Sequence, residues 1–149
     1  MKLPEPLFAL INPIMGLLLR SPIHRFWSDS LMLITFTGRN SGKQFTTPVR
    51  YVKDGDSILC FTSAENQWWR NLRNGASAQL RVAGESSPYT TSVIENNPSE
   101  IKKWLMFYLS QYPQDASYHD IALANDKSLI PEDLERASHE AIVVEAKPA

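Results

Sequence analysis

Residues 31–37 (LMLITFT) form an uninterrupted apolar, β-branched run, which predicts a buried strand. Residues 45–52 (FTTPVRYV) predict a second strand, in which Pro48, having no N–H, belongs at an edge or a bulge. The Asp54-Gly55 pair inside 53–56 signals a hairpin turn and 57–62 (SILCFT) a third strand, so the three make an antiparallel meander. A helix of about two turns is expected over 66–75, with Ser63 or Asn66 to cap its start and Asn74-Gly75 its end. Strands resume at 78–82 and 90–95, on either side of a turn at 84–88. Residues 98–112 (PSEIKKWLMFYLSQY) carry the clearest amphipathic helix. There Ile101, Trp104, Leu105, Tyr108 and Leu109 fall on one face and Lys102 and Lys103 point outward. Pro113 ends it, and 114–125 has no decisive pattern. A short helix follows over 131–138, with Ser128 as candidate cap, and 141–145 (AIVVE) gives a last strand.

These elements predict a mainly β (α+β) fold of about six mostly antiparallel strands flanked by short helices. A sheet of that size tends to close into a small barrel, because closure removes exposed strand edges. No repeat and no low-complexity linker divides the chain, so residues 1–149 read as a single domain. Residues 31–149 hold the barrel and its helices, and 1–30 form an N-terminal hydrophobic segment. Within that segment the apolar run 7–19 is broken by Pro13 and Gly16 and is too short to span a bilayer. It also lacks the basic start and small-residue cleavage site of a signal peptide. A helix packed on the body or on a partner is expected, with weak membrane-surface contact as the alternative. The chain is expected in the cytoplasm.

With 43% hydrophobic and 21% charged residues, the chain is long enough to bury a core without disulfides. Its single cysteine, Cys60, sits in a strand and reads as a small buried hydrophobe. The net charge of −1 hides an uneven distribution, with six cations against three acids between Arg39 and Arg73. From Glu95 onward ten acids face five bases. That balance is too mild for a nucleic-acid protein and suits a local site for a small anion. His24, His119 and His139 are scattered, with no metal-ligand spacing, so no metal is expected. No nucleophile elbow or P-loop is present either.

The turn between the first two strands is the chemical focus. Thr37-Gly38-Arg39-Asn40-Ser41-Gly42-Lys43 gathers two cations, a hydroxyl, two glycines and several backbone N–H groups at one end of a sheet. Such a set suits a phosphate or carboxylate, although a solvated basic turn has the same composition. On the second strand Thr47, Val49 and Tyr51 share one face, while Thr46, Arg50 and Val52 share the other. Thr62-Ser63 ends the third strand with two hydroxyls, and Trp68, Trp69 and Asn71 follow. A planar aromatic ligand could lie along these strand backbones beside a tryptophan. One tryptophan of the pair is expected in the core, and the other is left between core and pocket.

The order of these pieces resembles the deazaflavin-dependent nitroreductase family, whose members show T-G-R-K-S-G-K, T-T-P-L, D-G and a W-Y-x-N-L helix in sequence. Here the counterparts are Thr37 to Lys43, Thr46-Thr47-Pro48, Asp54-Gly55 and Trp68-Trp69-Arg70-Asn71-Leu72, a match over about 31–82. It continues loosely into Tyr112-Pro113 and Tyr118, which are similar to a tyrosine-bearing segment over the substrate pocket. The resemblance implies a split β-barrel, often a homodimer, binding coenzyme F420 in a groove. It implies that Arg39, Asn40, Ser41, Gly42, Lys43 and Gln44 hold the phosphate and tail. Val49, Arg50, Tyr51, Val52, Thr62 and Ser63 would run along the ring, with Trp68, Trp69 and Asn71 closing the helix side. Tyr112 and Tyr118 are the implied candidates for catalytic proton donor. The implied reaction is hydride transfer from the reduced deazaflavin to a small hydrophobic acceptor: a quinone, nitro compound or activated alkene. The cofactor then supplies the chemistry, which fits the absence of a catalytic dyad.

One departure stands out. Many members carry a lysine after the serine matched to Ser63, whereas this chain has Ala64-Glu65. Losing a cation and gaining an acid beside an anionic cofactor weakens binding by about 1–3 kcal/mol when the contact is desolvated. Arg50 is placed to restore positive charge from the strand. FMN is therefore the alternative cofactor, and a non-catalytic split barrel holding a flavin-like or lipid-like ligand is the alternative function.

Overall fold

The computed structural model describes residues 31–126 and 128–149. The expected N-terminal helix within 1–30 lies outside the described residues. Six strands are present: β1 (Leu31–Thr37), β2 (Gln44–Asp54), β3 (Ser57–Ser63), β4 (Ala76–Val82), β5 (Glu85–Ile94) and β6 (Ala141–Pro148). Helices α1 (Pro98–Gln111) and α2 (Pro131–Glu140) separate β5 from β6. The strands close into an antiparallel barrel in the order β1-β2-β3-β6-β5-β4, as the pattern of short strands predicts.

Strand alternation sorts side chains into two cores. Along β3, Ile58 and Cys60 point into the barrel with Ile34, Phe36, Tyr51 and Leu80. Leu59 and Phe61 point out and pack beneath α1 and α2 with Ile101, Leu105, Tyr108 and Leu134. Because both of its faces are covered, β3 is apolar from Ile58 to Phe61. Asn97 caps α1 by accepting from the Glu100 N–H, and Pro98 occupies the first turn, where its missing N–H costs nothing.

Three local expectations are corrected. The two-turn helix over 66–75 is instead a five-residue 3-10 helix, Trp68–Leu72. Trp68, Trp69 and Leu72 all turn inward, at 9%, 3% and 0% exposure. Filling the barrel end with three side chains from so short a stretch favours the tighter helix. Second, β5 begins at Glu85 because Ala83 (φ 51°) and Gly84 (φ 82°) make a two-residue turn of left-handed residues. Pro88 is therefore inside β5 rather than in the turn. Its carbonyl accepts from Ala149 N (3.2 Å), so its absent N–H faces the point where β6 ends. Third, Ser128 does not cap α2; its N–H and hydroxyl both donate to Asp126, and Ile130 stands at the cap position. Among the described residues no helix is long and apolar enough to cross a membrane.

Candidate functional site

The pairing of β2 with β3 is brief. It runs from Asp54↔Ser57 to Tyr51↔Cys60 and stops there. Beyond that point Gln44–Arg50 of β2 pairs only with β1, and Phe61–Ser63 of β3 pairs only with β6. The two strands part, leaving the β2 edge without a strand neighbour among the described residues. Pro48 lies on this one-sided stretch, as its missing donor requires. Because the strands are antiparallel, the start of β2 and the end of β3 lie at the same barrel end. The Gly38–Lys43 turn, Thr62, Ser63 and the Trp68–Leu72 helix are gathered there.

The turn is closed by Gly38 N–H to Lys43 C=O (2.7 Å) and Gly42 N–H to Gly38 C=O (2.9 Å). Gly42 takes φ 71°, a conformation glycine adopts without strain. The Ser41 hydroxyl accepts from Lys43 N–H (3.2 Å). Asn71 joins the turn to the 3-10 helix: its Oδ1 accepts from Arg39 N (2.8 Å) and Arg39 Nη1 (3.4 Å). Its Nδ2 donates to the Trp68 carbonyl (3.0 Å). Among the described residues neither Arg39 nor Lys43 is paired with a carboxylate, and both side chains are exposed. The donors present suit a phosphate, whose oxygens accept from Arg, Lys, hydroxyl and main-chain groups alike.

A second 3-10 helix, Pro113–His119, fastens both lips of the parting. On the β2 lip, Arg50 Nε donates to Asp115 Oδ2 (2.5 Å), and its guanidinium lies 4.8 Å from the Tyr112 ring centroid. The same carboxylate oxygen accepts from Tyr108 Oη (2.5 Å). Burial pushes the Tyr108 phenol well above its ordinary range, and donation to Asp115 pushes it further. On the β3 lip, Asn66 Nδ2 donates to Thr62 Oγ1 (2.7 Å) and to Tyr118 Oη (3.3 Å). Tyr118 packs edge-on against buried His119, with ring centroids 4.9 Å apart.

The structure thus brings together most of the residues singled out from sequence. Arg39, Asn40, Ser41, Gly42, Lys43 and Gln44 form the exposed turn, and Asn71 touches it. Val49 and Arg50 lie where β2 has lost β3, opposite Thr62 and Ser63. Four others are paired within the sheet or buried. Tyr51 and Val52 fall in the paired part of the sheet, and Trp68 and Trp69 both pack in the barrel core, so neither tryptophan is left over for a pocket. Arg50 is already paired with Asp115, so it adds no free positive charge. Asn66 was expected at most as a helix cap; its side chain turns instead to Thr62 and Tyr118. Asp115 carried no local signal, since its partner Arg50 is 65 residues away. Cys60 is buried, and burial pushes its thiol up to about 12, which removes it as a nucleophile. Among the described residues no cluster of three metal-ligating side chains occurs.

Residues 21–131 match the family model described as F420H(2)-dependent quinone reductase. A Mycobacterium tuberculosis protein named as an F420H(2)-dependent quinone reductase is 27% identical over 78 residues, taking in 49% of this chain and 65% of that protein. The chain therefore spans just under two thirds of the length of the relative it matches. Among solved structures, one from Listeria innocua named as a pyridoxamine 5'-phosphate oxidase superposes with TM-score 0.52 at 12% identity, covering 93% of each chain. A domain-swapped dimer superposes with TM-score 0.51 at 16% identity, covering 91% of this chain and 96% of the other. At such identities the likeness is one of fold.

Proposed function

This chain belongs to the F420H(2)-dependent quinone reductase family, and from that premise we propose that it binds coenzyme F420 and reduces a quinone. The observation that carries the reading is the pair Arg39 and Lys43, exposed and without a carboxylate partner among the described residues, at the barrel end where β2 and β3 part. Arg39, Ser41, Gly42 and Lys43 hold the coenzyme's phosphate and acidic tail, with Asn40 and Gln44 at the margins of that turn. Asn71 orients Arg39 through two hydrogen bonds. The unpaired main chain of β2 around Val49 and the β3 main chain at Thr62 and Ser63 face the ring. When bound in its reduced state, the deazaflavin supplies a hydride. The protein positions ring and acceptor, and Tyr112 and Tyr118 stand over the parting as polar contacts for the acceptor. Nitro compounds and activated alkenes accept the same hydride and are secondary substrates in this proposal. Homodimerisation belongs to it too: Phe45, Met106 and Phe107 leave large apolar side chains exposed for a second copy, and sedimentation tests it.

A second reading is favoured by the Arg50–Asp115 pair. With Arg50 neutralised, the two cations of the turn, unpaired with any carboxylate among the described residues, match a single phosphate better than a long acidic tail, so FMN is the competing ligand. Mixing the protein with reduced F420 and menadione, and separately with FMN, tests both. Menadione-dependent oxidation of F420H2 supports the reductase; FMN binding without F420 binding supports the alternative. Binding of neither removes both.

A further inference from the structure

Asn66 is 5% exposed, yet its side-chain amide is committed to two hydroxyls, Thr62 Oγ1 at 2.7 Å and Tyr118 Oη at 3.3 Å. Thr62 stands on the part of β3 that has lost β2, so the Tyr118 hydroxyl is held at the mouth of the parting. A phenol has one proton and two acceptor positions. Asn66 donates to it, and among the described residues Tyr118 Oη has no other hydrogen-bond partner. Its own proton therefore points elsewhere.

We infer that Asn66 is a positioning residue: by donating to Tyr118 Oη it aims the Tyr118 proton at the oxygen of the electron acceptor. The inference rests on the reductase reading above. An acceptor that has taken up a hydride from the reduced deazaflavin gains one negative charge. The Tyr118 O–H bond then breaks, its proton bonds to the acceptor oxygen, and the phenolate regains a proton from water. One hydride and one proton convert a quinone to its hydroquinone. Thr62 fixes the amide so that it cannot rotate its N–H group away from Tyr118.

Asn66→Asp provides the test, because it preserves size while replacing a donor with a carboxylate that only accepts. The hydroxyl proton then turns to the carboxylate and away from the substrate. With F420H2 and menadione, kcat is expected to fall at least about tenfold in Asn66→Asp and in Tyr118→Phe, the scale of losing a general acid. KM for F420H2 is expected to stay within about threefold, since neither change touches the cationic turn. A second readout needs no turnover. Menadione affinity for protein loaded with oxidised F420 is expected to weaken by about 3- to 10-fold in both variants, one hydrogen bond's worth. The inference is overturned if Asn66→Asp keeps wild-type kcat and menadione affinity, since Tyr118 would then be donating to residue 66. It is equally overturned if F420 affinity falls as far as kcat, the mark of general collapse of the site. Should Asn66→Asp fail to fold, Tyr118→Phe alone decides, and wild-type behaviour there overturns it. Failure of the wild-type chain to bind F420 is a distinct result that removes the reductase reading and this inference together.

Discussion

Replacing Asp115 with alanine removes the anchor that joins the Pro113–His119 segment to the barrel. Its Oδ2 accepts from Arg50 Nε and from Tyr108 Oη, both at 2.5 Å. Charge-assisted hydrogen bonds contribute about 1.5–3 kcal/mol each, so the two set an upper limit of about 3–6 kcal/mol. Two features reduce it. Arg50 and Asp115 side chains are 26% and 16% exposed, so water takes over part of the Arg50 interaction. The Arg50 stack on Tyr112 also survives the change. Tyr108, however, is 4% exposed and loses its acceptor in a buried place. The expected loss is about 2–4 kcal/mol, and Asp115→Asn, which still accepts from Tyr108, loses about half as much. For a chain of this size that lowers Tm by about 5–15 °C. Urea unfolding followed by circular dichroism measures it. In the Asp115→Ala background, Tyr108→Phe should cost about 1 kcal/mol less than in wild type, because its hydroxyl has already lost its partner. A loss below about 0.5 kcal/mol for Asp115→Ala, or strict additivity with Tyr108→Phe, would refute the claim that this carboxylate holds the segment.

Two further outcomes follow from the geometry. At Gly38 an added Cβ would lie 2.8 Å from Phe45 Cε2 and 2.9 Å from Ser41 Oγ. Both are ends of side chains that can move, so Gly38→Ala should cost less than about 1 kcal/mol of stability. Moving Ser41 breaks its bond to Lys43 N–H, so F420 affinity should fall while Tm barely changes, as a fluorescence titration beside a melt will show. Cys60 should not react with Ellman's reagent at pH 8 in the native state, and should react fully in urea. Its thiol is raised from 9.0 to about 12 by burial. Folded stability is therefore fully present below about pH 9 and declines by up to about 1.4 kcal/mol per pH unit between there and about pH 12. Cys60→Ala should flatten that alkaline decline, and an unchanged slope would show that another group controls it.

Much of the barrel was legible because its signals are local. The Asp54-Gly55 turn, the apolar run of β1 and the one-sided spacing of α1 each fix their own element. Pro48 even marked the strand that lacks a second neighbour. What stayed hidden depends on tertiary contact. Trp68, Trp69 and Leu72 are drawn together into the barrel end, which overrides the helix that their neighbours suggest. Ala83 accepts a left-handed conformation that its side chain does not favour, and this moved the β4–β5 turn. The site divides along the same line. Arg39, Ser41 and Lys43 were readable because they share one turn. The Arg50–Asp115–Tyr108 and Thr62–Asn66–Tyr118 groups were not, because each ties one lip of the parting to the Pro113–His119 segment, 65 and 52 residues further along the chain.

The central claim is that the Gly38–Lys43 turn holds the anionic end of a deazaflavin. Titrating F420 with the wild-type chain and with Arg39→Ala/Lys43→Ala, following the ring's fluorescence, tests it most directly. Wild type should bind at micromolar concentration, with affinity falling as salt rises. The double variant should bind about 30-fold or more weakly, from about 1 kcal/mol for each exposed cation, while keeping the wild-type Tm. Wild type that fails to bind F420 at tens of micromolar, or a double variant that binds as tightly as wild type, would contradict it.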